Sequence, residues 1–297
     1  MKKYIPKIFY FFISIFFSYA LIFFLLNFKD EKNTILSTTK MWLNMVLPSI
    51  SLSYIISSYV YNYDILSHFF YKCFKNLFHF ENSKSASLYL ISILIGEPSS
   101  TVLIKEAINN NEITLREGNR LMRFTSFISP LFLISMLEKR YFLFIIIGEL
   151  VTSIIIANFS INTYQNETIV HKKKFFDVYF NIINNLPNIL IGILICMYVI
   201  NIFSSLIPNY IKPLSIIFEI TNGLKNLKVY EKYGYLYNYL LLSLVTLTGV
   251  AIMLQIYWII KKTDISFKNY LKYRIIALLI GIILTSIYNL FLFKFFF

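Results

Sequence analysis

Leu88-Tyr89-Leu90-Ile91-Ser92-Ile93-Leu94-Ile95 runs directly into Gly96-Glu97-Pro98-Ser99-Ser100-Thr101. The first eight residues read as membrane-embedded helix. The next six place a carboxylate, a helix breaker and three hydroxyls where the chain should still be in hydrocarbon. Broken backbone and ionisable groups persist there only when protein or a water-filled cavity shelters them. The stretch therefore predicts a re-entrant element, with a site at its tip, inside an α-helical membrane protein.

The rest of the chain agrees with that class. Apolar residues make up 57% of the 297 positions and charged residues 14%, against about 25% charged in soluble domains. The mean hydropathy is +0.64. Apolar spans are predicted at 8–28, 41–62, 141–160, 178–205, 236–260 and 275–293, with a shorter one at 124–137. The segments 87–123 and 207–232 are apolar but interrupted. The N-terminal span follows Met1-Lys2-Lys3 and has an apolar core longer than that of a signal peptide, so it is expected to be an uncleaved transmembrane helix.

A net charge of +13 raises the question of nucleic acid. The Lys and Arg lie in short loops between apolar spans, which is the positive-inside pattern, and no nucleic-acid partner is expected. Lys2, Lys3 and Lys7 put the N-terminus in the cytoplasm. Lys29-Asp30-Glu31-Lys32 is balanced and can lie outside. Lys72, Lys75 and Lys84, then Lys172-Lys173-Lys174, then Lys261, Lys262, Lys268, Lys272 and Arg274 mark cytoplasmic loops. These assignments agree only if 87–123 and 207–232 each enter the membrane and return to the side they came from. Residues 87–95 as helix rise about 13 Å, close to half of a ~30 Å hydrocarbon core. Thr114-Leu115-Arg116-Glu117 is a capping box that starts the next helix.

The predicted fold is thus an all-α polytopic membrane protein with about seven full crossings and two inverted repeats, each carrying a re-entrant hairpin. Residues 1–40 form an N-terminal helix and connector. Residues 41–174 form the first repeat with hairpin 87–123, and residues 175–297 the second with hairpin 207–232. Leu47-Pro48 and Leu186-Pro187 open corresponding helices, and Gly96 to Thr101 corresponds to Glu219-Ile220-Thr221-Asn222-Gly223. Interrupted segments at matching places in inverted halves point to a midplane binding site in a transporter.

Gly96, Pro98 and Gly223 are the expected breaks. Pro98 suits the first position of a helix, whose free amides, with Ser99, Ser100 and Thr101, would attract an anionic group. Thr221 and Asn222 offer neutral hydrogen bonds to the same solute. Glu97 and Glu219, one beside each break, are candidate coupling or structural acids, because a carboxylate near the bilayer centre costs on the order of 3 kcal/mol. Glu149, after Gly148, is a third acid, with a purely interhelical role as its alternative. Arg116, Arg120 and Arg123 share a helix face, either as positive-inside residues or as an attractive vestibule for an acidic solute. Gln255 is either an interhelical hydrogen bonder or a ligand contact. Simple kinks remain the plainer reading of both breaks.

Cys73 and Cys196 form neither a disulfide framework nor a metal motif, and His68, His79 and His171 lack ligand spacing, so no metal or cofactor is expected. The absence of hydrolase, metalloprotease, phosphate-loop and dinucleotide signatures argues against an enzyme.

The chain from about residue 41 onward resembles the YlbJ-type sporulation integral membrane proteins, within the nucleoside-recognition or Gate domain superfamily. The likeness rests on Gly96-Glu97-Pro98-Ser99, Ile113-Thr114, Glu117, Arg120-Leu121, Phe124-Thr125, Pro130-Leu131-Phe132, Thr248-Gly249-Val250-Ala251 with Gln255, and above all Glu219-Ile220-Thr221-Asn222-Gly223. Ser100 replaces an expected Gly, and Ser126-Phe127-Ile128-Ser129 replaces an Asn-rich step. The resemblance implies a protein of the outer forespore membrane that moves dipicolinic acid, a small dicarboxylate. A non-transporting scaffold for spore maturation and a nucleoside carrier or receptor stand as alternatives. The lipid bilayer and a small-molecule anion are the expected partners, and a homo-oligomer or assembly with other sporulation membrane proteins stays open.

Overall fold

The computed structural model describes residues 7–61, 64–159, 175–206 and 216–296. Every regular element among them is helical. Lys2, Lys3, the Lys172–Lys174 cluster, His171 and positions 207–215 of the second expected hairpin lie outside the described residues.

The N-terminal helix α1 (Lys7–Leu26) is followed at once by α2 (Phe28–Met41). The latter covers the segment read from its charges as an outside connector. Asp30 and Glu31 sit in its first turn, where acidic side chains complement the helix dipole. A π-helical turn at Trp42–Val46 joins α2 to α3 (Leu47–Tyr61), so helix continues from residue 28 to residue 61. Then come α4 (Asp64–Phe78), α5 (Ser83–Ile95), α6 (Ser99–Asn109), α7 (Leu115–Phe124), α8 (Pro130–Met136), α9 (Lys139–Asn158) and α10 (Phe175–Ser205). The C-terminal part has α11 (Ile220–Leu227), α12 (Tyr235–Leu247), α13 (Gly249–Ile260) and α14 (Phe267–Phe296).

Five helical stretches are long and apolar enough to cross a membrane: Phe28–Tyr61, Lys139–Asn158, Phe175–Ser205, Tyr235–Ile260 and Phe267–Leu290. The outward faces of the last four carry Leu143, Ile147, Ile191, Ile195, Leu254 and Leu279, all more than half exposed. Aliphatic surface on several helices suits lipid, whereas a soluble monomer avoids large contiguous apolar patches. The chain thus has the character of an all-α polytopic membrane protein.

Two ends of the molecule are defined by polar ties. At one, Asn82, the N-cap of α5, donates from Nδ2 to the Glu112 carbonyl at 3.1 Å. This joins the start of α5 to the chain just after α6. The two helices therefore form a hairpin with Gly96-Glu97-Pro98 at its tip. The base is clamped further by Thr114 Oγ1 donating to Glu81 Oε2 at 2.7 Å and by Tyr61 donating to the Glu112 carboxylate. Thr114 also caps α7 by accepting from Glu117 N at 3.1 Å, as the capping-box pattern predicts. The loop after α13 belongs to this end, where Ser266 N donates to Asn119 Oδ1 at 2.7 Å. At the opposite end Arg140 Nη2 meets Glu231 Oε1 at 2.7 Å, and Asn238 Nδ2 donates to Asn289 Oδ1 at 2.8 Å. The stretch 28–61, the α7–α8 pair, α9, α10, the α12–α13 pair and α14 run between these ends. The α5–α6 hairpin enters from the first end and turns back inside.

Arg120 departs from its reading as a loop marker. It is buried, ion-paired to Glu117 at 2.7 Å, and donates to the carbonyls of Phe78 at 2.8 Å and His79 at 3.0 Å. It holds the end of α4 onto α7. Lys84 is buried as well, with its ammonium 4.8 Å from the Tyr61 ring centre.

Candidate functional site

The hairpin tip needs a glycine. Gly96 has φ 68° and ψ 178°, a region that glycine enters freely and L side chains rarely adopt. A Cβ there would lie 2.4 Å from the Ser129 backbone nitrogen. The close approach is to residues 125–129, the non-helical link between α7 and α8. Glu97 N donates to the Phe127 carbonyl at 2.8 Å, so tip and link cross through one backbone hydrogen bond. The Glu97–Pro98 peptide is cis, and Pro98 precedes α6, which starts at Ser99 rather than at the proline.

A second crossing uses the C-terminal elements. The chain reaches Phe218 and Glu219, and α11 begins at Ile220. Thr248 (φ 62°) and Gly249 (φ 78°) interrupt the helix between α12 and α13. Ala251 N, just past that interruption, donates to the Phe218 carbonyl at 2.9 Å. Gly223 is packed as tightly as Gly96, since an added Cβ would meet the Ile216 carbonyl oxygen at 2.4 Å.

The two carboxylates beside these breaks do different things. Glu219 turns back on its own helix, accepting from Thr221 N and Asn222 N at 2.8 Å each. It is the N-cap of α11, and it satisfies amides that would otherwise be open to an anionic solute. Glu97 instead reaches away from α6, accepting from Ser126 Oγ at 2.5 Å and Tyr270 OH at 2.9 Å. No side chain caps α6. Tyr270 OH also lies 3.4 Å from Thr248 Oγ1, so one phenol on α14 touches both broken regions.

Arg274, one turn after Tyr270, is buried. It donates from Nη2 to the Arg123 carbonyl at 2.7 Å and from Nη1 to the Ser126 carbonyl at 3.4 Å. Its guanidinium lies 5.5 Å from the Tyr270 ring centre. Glu149 accepts from Ile128 N at 3.0 Å, while its other oxygen has no hydrogen-bond partner. Glu149 and Arg274 share a void of about 10 Å³ with Thr152 and Thr246, roughly the space of one water. The link 125–129 is therefore held by a buried polar network rather than by helical hydrogen bonds.

Between the crossings lies a small, half-open cavity of about 50 Å³ whose polar lining comes from Glu97, Ser129, Glu219, Thr221 and Gln255. The remaining wall is apolar, with Ile50, Ile128, Phe132, Ile193 and Met197 among its members. That volume holds a few ordered waters at ~10–15 Å³ each. No family model, curated protein or solved structure matches the chain.

Several sequence-predicted residues do not line this cavity. Ser99, Ser100 and Thr101 are buried beside it; Ser99 Oγ has no hydrogen-bond partner and Thr101 Oγ1 lies 3.7 Å from Met122 Sδ. Asn222 faces a separate cavity of about 250 Å³ with Thr38, Asn201 and Lys225, and its amide donates to Asn201 Oδ1. Glu149 supports the α7–α8 link from behind. Sequence reasoning missed Ser126, Ser129, Tyr270 and Arg274 as parts of the site. Tyr270 and Arg274 are four apart and share a helix face, the one signal available. Among the described residues no His, Cys, Asp or Glu cluster could hold a metal.

Proposed function

We propose that this protein is a secondary transporter or facilitator built from two inverted repeats with seven crossings: α1, the stretch 28–61, α7–α8, α9, α10, α12–α13 and α14. One observation carries the reading. Glu97 and Glu219, far apart in sequence and each beside a break in a membrane segment, line the same small cavity. The paired tip crossings, Glu97 N to Phe127 O and Ala251 N to Phe218 O, support equivalent roles for the two hairpins. Irregular backbone at membrane depth is what discontinuous-helix transporters use to build a midplane site.

The end carrying Lys72, Lys75, Arg116, Lys261, Lys262, Lys268 and Lys272 faces the cytoplasm in this proposal, and so does the N-terminus. The resemblance to the sporulation proteins supplies the solute, dipicolinic acid, and the location, the outer forespore membrane. A cavity of about 50 Å³ is too small for that solute as it stands, so in this proposal substrate enters by relative movement of the two repeats. Glu97, bonded across to α14, is the coupling acid. Glu219 is the structural one.

The test is uptake of pyridine-2,6-dicarboxylate by proteoliposomes containing the purified chain. Wild-type protein should transport, and Glu97→Gln should slow transport and alter its pH dependence while thermal stability stays near wild type. Absence of uptake in both orientations refutes the transporter. The saturated cap at Glu219 favours a second reading, a scaffold in which the breaks serve packing alone. It predicts that Glu97→Gln and Thr221→Ala leave spore dipicolinate unchanged, whereas substitutions on the lipid-facing surfaces do not.

A further inference from the structure

The central cavity is poor in positive charge, so an anion needs another place to be captured. Next to it is a larger cavity of about 420 Å³ between α6, α10 and α13. Lys105, Lys261 and Lys262 line it together with Asn185, Asn188 and Trp258. No carboxylate is in that lining. Among the described residues none of the three lysines forms an ion pair: Lys105 donates to the Ile259 carbonyl at 3.0 Å, and Lys261 lies 5.6 Å from the Trp258 ring centre. Three lysines lining one recess make it electropositive, and its low-dielectric walls concentrate that potential. Asn185 and Asn188 add neutral hydrogen-bonding groups, although the Asn185 amide is engaged with Glu106.

The recess and the central cavity share two residues, Pro98 and Gln255. Gln255 Oε1 is buried and makes no hydrogen bond to protein, so it can accept one from a water or solute in either space. Pro98 is the hairpin tip itself. The thin point between the two spaces therefore coincides with the element expected to move.

Resting on the transporter reading, we propose that this recess is the anion-capture site of the carrier at its Lys261 end. It would hold a small water-soluble organic anion with one or two carboxylates, and Pro98 and Gln255 would gate its passage to the central cavity. The three lysines act as the counter-charge, and the hydroxyl-bearing tip of α6 plays no part until the gate opens. Of the arginines that could form an attractive vestibule, Arg120 is already neutralised by Glu117. A lipid headgroup has the same charge and could come from the bilayer, but the continuity with the central cavity favours a solute.

The experiment measures pyridine-2,6-dicarboxylate binding to the full chain in phosphatidylcholine nanodiscs by calorimetry. Pyridine-2,6-dimethanol serves as the uncharged control. Binding should weaken with added salt and be absent for the diol. Lys261→Gln/Lys262→Gln should weaken it by about tenfold or more, and Lys261→Arg/Lys262→Arg should restore it. Both lysines are exposed, so these variants keep the fold, and Lys105→Gln gives an independent third reading. Unchanged affinity in the Gln variants overturns the capture site, even where proteoliposome uptake proceeds. Displacement of the dicarboxylate by phosphatidylglycerol nanodiscs, with lysine-dependent lipid binding, overturns it in favour of a lipid site. Lysine-dependent binding without any uptake by wild type upholds the site and rejects the transporter.

Discussion

Gly96→Ala tests the hairpin tip most directly. Two costs can be worked from the structure. The φ/ψ pair of 68° and 178° belongs to a region that non-glycine residues occupy at about 1–3 kcal/mol. The new Cβ would sit 2.4 Å from Ser129 N and 3.0 Å from both Ile128 C and Phe127 O. These are backbone atoms and cannot rotate away, so overpacking adds about 1–3 kcal/mol. The sum is ~2–6 kcal/mol, and relief requires moving the tip from the 125–129 link. That movement breaks the Glu97 N to Phe127 O bond and lets the cavity collapse or open. The control is Gly192→Ala, where the added methyl meets nothing within 4 Å and replaces a helical glycine. It should be neutral or stabilising by up to ~1 kcal/mol. The assay is unfolding of both variants in mild detergent, followed by cysteine accessibility or thermal melting. Equal stability of Gly96→Ala and Gly192→Ala would refute the tight crossing and, with it, the re-entrant tip.

The buried polar groups give two more expected outcomes. Arg120→Ala removes the guanidinium from the buried Glu117 carboxylate and two chain carbonyls, so it should cost ~3–5 kcal/mol; Arg140→Ala, in an exposed pair with Glu231, should cost at most ~1 kcal/mol. Melting temperatures of the two variants in the same detergent decide this, and similar losses would be inconsistent with a buried clamp at Arg120. Tyr270→Phe leaves Glu97 without its phenol donor and should destabilise by ~1–3 kcal/mol. In a double-mutant cycle with Glu97→Gln the effects should be non-additive by more than ~0.5 kcal/mol; additivity would show that the two side chains act independently.

The helical framework and both breaks are legible in the sequence because the local signals are strong. Long apolar runs have few folds open to them in lipid, and Gly96 and Pro98 interrupt such a run visibly. Gly223, expected as the second break, lies instead inside α11. The chain breaks before it at Glu219, because Glu219 caps the helix and the missing side chain at Gly223 admits the Ile216 carbonyl. Thr114 to Glu117 announces a helix start, and Thr114 caps that helix. The charged side chains are less legible. The positive-inside rule treats every Lys and Arg as a loop marker, yet Arg120 and Arg274 are buried because carbonyls distant in sequence receive them. Nothing local encodes those partners. The 28–41 stretch reads like a connector for the same reason, since its charges hide a helix whose acidic first turn is well suited to begin one. The role of Glu219 is hidden by chemistry: glutamate is not among the preferred N-caps, so the sequence alone leaves its helix amides free for a solute.

That difference between Glu219 and Glu97 bears on how the two broken regions are tied together. A carboxylate folded onto its own helix makes a rigid unit, because α11 carries its cap with it in any displacement. A carboxylate bonded to Ser126 on the α7–α8 link and Tyr270 on α14 ties three separate elements through one side chain. Tyr270 extends the tie to Thr248 at the α12–α13 break. A shift of the first hairpin tip must therefore stretch or exchange bonds that reach the second broken helix, whereas a shift of α11 leaves its own cap intact. If the protein alternates between two states, the bonds that differ between them are those around Glu97 and Tyr270, and α11 moves together with its Glu219 cap. Protonation of Glu97 would turn an acceptor-only group into one that can donate, forcing the Ser126 and Tyr270 hydroxyls to reorient. In the transporter proposed above, the bond exchange at that one carboxyl is where solute movement and a proton would be coupled.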